Sequence, residues 1–135
     1  MRKEALMITA TSVEEFKEQL SLLFKQEEFA SLNNIVYIWK VDNAIPRLIG
    51  ESEILYIGRT KNTFSSRYRQ KKAFDIELAY FESVYRHVIS KYGQITIELK
   101  VCSDTKVEEA SLLHAYFKKH CELPPMNRAM PKLCA

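Results

Sequence analysis

The sequence predicts an α+β domain, in which a small, mainly antiparallel three-stranded sheet is flanked by helices and preceded by an extra N-terminal helix. Three observations predict this class: one segment with strict alternation of apolar and polar residues, two runs rich in β-branched and aromatic residues, and three segments with apolar residues at helical spacing. The 135 residues are 47% hydrophobic and 27% charged, which is typical of a single globular domain.

The first helix is predicted over residues 12–29. Ser12 and Glu15 form a capping-box pattern, with Ser12 as the N-cap. Apolar residues then recur at Val13, Phe16, Leu20, Leu23 and Phe24. Asn33 and Asn34 end the pattern. We therefore divide the single compact domain into a helical extension, 1–33, and a main part, 34–135.

The strands are predicted from residue type and alternation. Residues 35–41 and 54–58 are rich in β-branched and aromatic side chains, and we expect them to pair antiparallel. Residues 42–46 between them read as a turn region, within a loop of about a dozen residues. Residues 94–102 alternate, so Ile95, Ile97, Leu99 and Val101 should face the core.

Three further helices are expected after the second strand. A short one is predicted near 63–72 and a longer one near 74–92, ending at Gly93. The last runs from Thr105 to about His120, with Thr105 and Glu108 as a second capping box. Pro124 and Pro125 then forbid a helix in the tail.

Composition narrows the class of protein further. Cys102, Cys121 and Cys134 are widely spaced and form no CxxC pair, which argues against a zinc knuckle and for reduced thiols. No apolar run approaches the ~18 residues of a membrane-spanning helix. The N-terminal apolar stretch is too short for a signal peptide. We expect a cytoplasmic protein without a membrane partner.

A basic segment, Arg59–Lys72, follows the second predicted strand. It holds six cations and no carboxylate, although the net charge of the whole chain is only +3. Such a segment beside a glycine and a helix start is suited to binding phosphate groups. The expected phosphate- and DNA-binding residues are Arg59, Lys61, Arg67, Arg69, Lys71 and Lys72.

Glu109 stands out in the last helix. On a helical wheel with Leu113 at zero, Glu109 falls near about −40°, inside the apolar stripe, whereas Glu108 falls on the opposite side. An unpaired carboxylate there is costly. Two explanations remain open: Glu109 pairs with a lysine or arginine across the sheet, or it binds a divalent cation beside the phosphate site.

Five pieces of sequence together resemble the GIY-YIG nuclease superfamily. They are, in the family's order, Ile35-Val36-Tyr37, Tyr56-Ile57-Gly58, Phe64-Ser65-Ser66-Arg67-Tyr68, Glu109-Ala110-Ser111-Leu112-Leu113 and Pro124-Pro125-Met126-Asn127. The resemblance covers roughly residues 34–128. Ile35 replaces the family's first glycine. Gly58 and Arg67 are one residue further apart than usual, so Arg69 is an alternative for the arginine role.

The resemblance implies a DNA endonuclease that hydrolyses phosphodiester bonds with Mg²⁺ or Mn²⁺. By this likeness, Tyr56 and Tyr37 would position or activate water, and Arg67 would bind the phosphate. Glu109 would bind the metal, and Asn127 would hold the site through hydrogen bonds to the backbone. Gly58 and His114 would be accessory residues. The predicted catalytic residues are thus Tyr37, Tyr56, Arg67, Glu109 and Asn127.

Two other functions compete with the nuclease. The first is a non-catalytic nucleic-acid-binding module that retains the nuclease fold and grips phosphates with the basic segment. The second is a protein-interaction domain that uses the 74–92 helix. Because the sequence shows no separate DNA-reading domain, three alternatives stay open: low specificity, specificity for DNA structure, or specificity supplied by a homodimer or a separate partner.

Overall fold

The computed structural model describes residues 3–8, 12, 14–16, 18–19, 22, 33–60, 82–127 and 130. Its strands are β1 (Lys3–Ile8), β2 (Ile35–Pro46), β3 (Glu51–Thr60) and β4 (Ile95–Val101). Its helices are α1 (Glu82–Tyr92) and α2 (Thr105–His120). The predicted helix 63–72 and the first part of the predicted helix 74–92 lie outside the described residues.

The described strands form one antiparallel sheet in the order β1-β4-β2-β3. The α+β class and the antiparallel arrangement of the three predicted strands are confirmed. β1 adds a fourth strand, which pairs with β4 from Lys3↔Lys100 to Ile8↔Ile95. The region 1–33 is therefore not a purely helical extension, because it contains β1, which pairs with the edge of β4.

The β2–β3 hairpin is longer than the sequence indicated. After an irregularity beyond Lys40, the ladder resumes with Ile45↔Ser52 and Pro46↔Glu51, so the predicted turn at 42–46 belongs to β2. The connection is the short turn 47–50, which closes with a hydrogen bond from Arg47 N to Gly50 O. Pro46 is tolerated because it occupies the last pair of the ladder.

The sheet has two covered faces, which we name after the helices that pack on them. On the α1 face, alternate residues of β2 such as Tyr37 and Trp39 pack with Tyr85 and Val88 of α1. On the α2 face, Val36 and Ile57 pack with Leu113 of α2. The predicted alternation of β4 is confirmed, since Ile95, Ile97 and Leu99 are buried on the α1 face.

The N-terminal helical residues also cover the α1 face. Residues 14–16, 18–19 and 22 are helical, and Ser12 acts as the predicted N-cap by accepting a hydrogen bond from Glu15 N at 3.2 Å. Phe16 is fully buried, with its ring centroid 5.0 Å from that of Tyr85 and 5.9 Å from that of Trp39. This aromatic cluster joins the N-terminal helical residues to the sheet.

The start of α2 corrects the second predicted capping box. The N-cap is Asp104, which has an extended backbone and accepts a hydrogen bond from Val107 N at 3.2 Å. Thr105 is already helical and buried, and Glu108 forms an ion pair with Lys100 of β4. Aspartate and threonine are both favourable N-cap residues. The observed N-cap is one residue before the predicted one, because Thr105 is buried against the core.

Helix α1 ends as predicted at Gly93, which adopts a left-handed φ of +91°. The Asp42 carboxylate accepts a hydrogen bond from Gln94 N at 3.0 Å immediately after the helix. In the described part of the chain, neither helix combines the length and the apolar character needed to cross a membrane.

The two described cysteines should differ in reactivity. Burial, reinforced by the nearby Glu108 carboxylate, raises the pKa of the Cys102 thiol, whereas Cys121 is exposed. Since the thiolate is the nucleophile, Cys102 should react slowly at pH 8. In a Cys134→Ser variant, we expect a disulfide reagent to label one thiol rapidly and the second only after denaturation. Rapid labelling of two thiols in the folded protein would contradict the buried position of Cys102.

Candidate functional site

Tyr37 and Tyr56, the two tyrosines predicted to act together, lie side by side on the α1 face. Their ring centroids are 5.9 Å apart with an interplanar angle of 32°, and Tyr56 also packs edge-on against Trp39 at 5.9 Å. The register explains this, because Tyr37 lies opposite Gly58 and Trp39 opposite Tyr56. Tyr37 is only 5% exposed, whereas Tyr56 is partly exposed.

Gly58 is the residue that lets Tyr37 take this position. A Cβ atom built on Gly58 would lie 2.3 Å from Cε2 of Tyr37 and 2.7 Å from its hydroxyl oxygen. The phenol of Tyr37 therefore crosses from the central strand β2 over the backbone of β3. The glycine of the Tyr56-Ile57-Gly58 motif is required by this close approach of the ring.

Asn127 closes the outer edge of β3. Its side-chain amide donates to Ile57 O at 2.8 Å, and its Oδ1 accepts from Ile57 N at 3.0 Å. Met126 N donates to Leu55 O at 3.0 Å along the same edge. The predicted hydrogen bonds from Asn127 to the backbone are present, and its catalytic role stays a prediction. The Asn127 amide thus makes the two hydrogen bonds to Ile57 that a neighbouring strand would otherwise make.

Glu109 lies with α2 on the other side of the sheet from the tyrosines. Arg59 is opposite Val36 in the register, so its side chain leaves β3 on the α2 face. There Arg59 Nε lies 3.5 Å from Glu109 Oε1, and the two side chains are 33% and 17% exposed. The first of the two sequence explanations is confirmed: Glu109 pairs with an arginine of the sheet. The wheel was right that Glu109 points toward the sheet.

The described residues do not by themselves form the implied metal site. Arg59 Nε contacts one oxygen of the Glu109 carboxylate, and a metal bound to that carboxylate would lie on the face opposite Tyr37 and Tyr56. In the regions that the structure describes, no group of three or more His, Cys, Asp or Glu side chains could hold a metal ion. The expected meeting of Glu109 with the two phenols in one pocket is therefore not formed by the described residues.

The other predicted site residues divide into two sets. Arg59, expected to bind phosphate, is half-buried in its ion pair with Glu109. His114 is partly buried on α2, the helix of the face opposite the tyrosines. Five predicted residues lie outside the described part of the chain: Lys61, Arg67, Arg69, Lys71 and Lys72.

The comparisons with known proteins leave the family open. No protein-family model, no curated protein and no solved structure matches this chain. The resemblance to GIY-YIG nucleases thus remains a prediction from the five sequence pieces. Four residues of these pieces lie close together in the structure: Tyr37, Tyr56, Gly58 and Asn127.

The sequence analysis did not identify two residues of α2 that lie together in the interior. Tyr116 and His120 are 5% and 4% exposed, with ring centroids 4.5 Å apart. His120 ends the helix as predicted, and its Nδ1 lies 2.9 Å from Ile49 O. The signal was their spacing, because positions 116 and 120 fall on one side of a helix.

Proposed function

We propose that this protein binds DNA non-catalytically, through the basic segment that follows β3. The observation that carries the proposal is the firm anchoring of β3 at the point where that segment begins. Tyr37 over Gly58 and Asn127 beside Ile57 hold the strand on two sides. Thr60, the last residue of β3, is followed directly by Lys61.

The charges available for phosphate can be counted. Arg59 is engaged by Glu109, and the proposal assigns the other five cations of the segment to DNA: Lys61, Arg67, Arg69, Lys71 and Lys72. No carboxylate lies between Arg59 and Lys72 to oppose them. Each phosphate contact releases a counterion, so five contacts predict a slope of about −4.5 for log affinity against log salt.

Tyr37 and Tyr56 support DNA binding by packing, and neither takes part in catalysis in this proposal. Tyr37 is too buried to stack on a base, and Tyr56 is packed between Tyr37 and Trp39. Both rings therefore stiffen the hairpin from which the basic segment leaves. The nuclease, in contrast, needs the carboxylate of Glu109 in the same pocket as these phenols, and Glu109 pairs with Arg59 on the other face.

The proposal predicts salt-dependent DNA binding. Fluorescence anisotropy with a labelled 20-base-pair duplex should show affinity falling on the order of 10² to 10³-fold between 50 and 200 mM salt. Replacing Arg69, Lys71 and Lys72 with glutamine should weaken binding and reduce the slope to about −1.8. The matched control removes three exposed cations elsewhere: Lys91, Lys106 and Lys118 to glutamine.

Three outcomes would overturn the proposal. Equal loss of affinity in the control triple variant, or no binding at 50 mM salt, would show that the basic segment is not the DNA contact. A plasmid-nicking assay with Mg²⁺ or Mn²⁺ separates binding from cleavage. We expect uncut plasmid; cutting that disappears in Glu109→Gln would establish the nuclease instead.

A further inference from the structure

Arg59 begins the basic segment, and it is the cation of that segment that the described part of the chain includes. Its side chain leaves β3 on the α2 face, across from the fully buried Val36. Its Nε lies 3.5 Å from Oε1 of Glu109, and the side chain is 33% exposed. Long cationic side chains often lay their stems along apolar surface in this way. In the free protein, Arg59 is therefore directed toward α2.

The ion pair between Arg59 and Glu109 is loose enough for another anion to compete. Its 3.5 Å separation exceeds the about 2.7–2.9 Å of a charge-assisted hydrogen bond. The neighbouring glutamate of α2, Glu108, holds Lys100 at 2.5 Å. Partly exposed ion pairs contribute little and weaken with salt. A DNA phosphate could therefore take Arg59 from Glu109 if the exchange left no charge unpaired.

Arg59 is also close in the chain to the proposed DNA contacts. It precedes Lys61 by two residues, so their Cα atoms are at most about 7 Å apart. One strand of a duplex carries a phosphate about every 3.4 Å along the helix axis. A duplex bound at Lys61 thus brings further phosphates near Arg59, and the same phosphates approach the carboxylate of Glu109.

We infer, on the basis of the proposed DNA binding, that Glu109 limits DNA affinity by holding Arg59 away from a sixth phosphate. While the carboxylate is present, moving Arg59 to DNA leaves a half-buried negative charge beside the phosphates, which opposes the exchange. Without the carboxylate, the half-buried guanidinium has no such partner to leave, and a phosphate oxygen becomes its best acceptor. Glu109 is therefore an autoinhibitory residue of the basic segment.

Glu109→Gln tests the inference, with anisotropy of the labelled duplex as the readout. Affinity at 50 mM salt should rise about three- to tenfold, and the salt slope should steepen from about −4.5 to about −5.4, because a sixth contact releases one more counterion. The control, Glu82→Gln, changes the net charge equally and also frees an arginine, since Glu82 pairs with Arg86 at 2.9 Å on α1. Its affinity should stay within about twofold of wild type. Equal gains in both variants would reject the inference as a general charge effect.

Arg59→Gln shows whether the gain passes through Arg59. Combined with Glu109→Gln, it should return the slope to about −4.5, because no arginine is released. A gain as large as in Glu109→Gln alone would mean that Glu109 only repels DNA, and would reject the inference. Arg59→Gln alone tests the wild-type state without changing Glu109: its slope should also be near −4.5, and a fall to about −3.6 would show that Arg59 already binds a phosphate.

Failure of this inference can be told from failure of the proposed function. A wild-type protein that does not bind the duplex at 50 mM salt would reject both. A wild-type protein that binds with a slope near −4.5, while Glu109→Gln behaves like Glu82→Gln, would reject the autoinhibitory role alone. Since the expected result is a gain of affinity, loss of folding in a variant cannot imitate it.

Discussion

Gly58→Ala should lower the free energy of unfolding by about 2–3 kcal/mol, because the added methyl group and the ring of Tyr37 would occupy the same space. The 2.3 Å approach involves a rigid ring that packs against Tyr56 and cannot swing away like a flexible chain end. Thermal unfolding followed by circular dichroism should show Tm falling by roughly 10 °C.

A second glycine separates crowding from backbone strain. Gly50 has a φ of +71°, but a Cβ there would meet nothing closer than 3.9 Å, so Gly50→Ala should cost only about 1 kcal/mol. In a Tyr37→Ala background, Gly58→Ala should cost almost nothing, because the ring that it would strike is gone. If Gly58→Ala costs the same with and without Tyr37, the close approach does not explain the glycine.

The Gly58 result also bears on DNA binding. If the Tyr37 ring only stiffens the hairpin, Gly58→Ala should weaken DNA binding modestly at temperatures where the variant is folded, and the salt slope should stay near its wild-type value. A changed slope would mean that the tyrosines position the cations themselves. The salt slope of DNA binding therefore shows whether the tyrosines only stiffen the hairpin or position the cations directly.

The residues that were predicted well are those governed by period and polarity. Alternation along β4 identified its buried side, and the wheel placed Glu109 toward the sheet, where it is 17% exposed. The prolines before Asn127 indicated a non-helical segment, and that segment runs along the edge of β3. In each case a local repeat or a backbone restriction determined the result.

The sequence pattern could not predict which face of the sheet α2 covers. A wheel shows which side of a helix is apolar, but both faces of this sheet are apolar, with Val36 on one and Tyr37 on the other. The choice depends on the path of the chain between β4 and α2. The expectation that Glu109 joins Tyr37 and Tyr56 rested on that undetermined choice.

The other differences between the predicted and the observed structure concern a short strand and a helix cap. β1 has six residues with no strong alternation, and its main determinant is the open edge of β4, which is a tertiary feature. Asp104 and Thr105 are neighbouring residues that can both cap a helix, so only packing decides between them. Intrinsic preference could not resolve either case.

Asn127→Ala should lower the free energy of unfolding by about 2 kcal/mol, because it removes two hydrogen bonds from the backbone of the buried residue Ile57. Hydrogen exchange of the Ile57 amide should become markedly faster than in the wild type, which reports this bond directly. Asn43→Ala is the matched control: Asn43 makes one exposed hydrogen bond of 3.4 Å to Tyr92 O, so the loss should stay below about 0.5 kcal/mol.

Asn127→Asp gives a sharper form of the same test. A carboxylate can accept from Ile57 N but would oppose Ile57 O, whereas a protonated carboxyl can accept and donate as the amide does. The pKa of the introduced carboxyl group in the folded variant should therefore be raised above its unfolded value. Its stabilising contribution would be present below the unfolded pKa of about 3.9 and lost as the pH rises through the folded pKa. The stability gap to wild type should accordingly narrow between pH 7 and pH 4; a gap that stays constant would show that the two-way pairing with Ile57 does not hold the edge of β3.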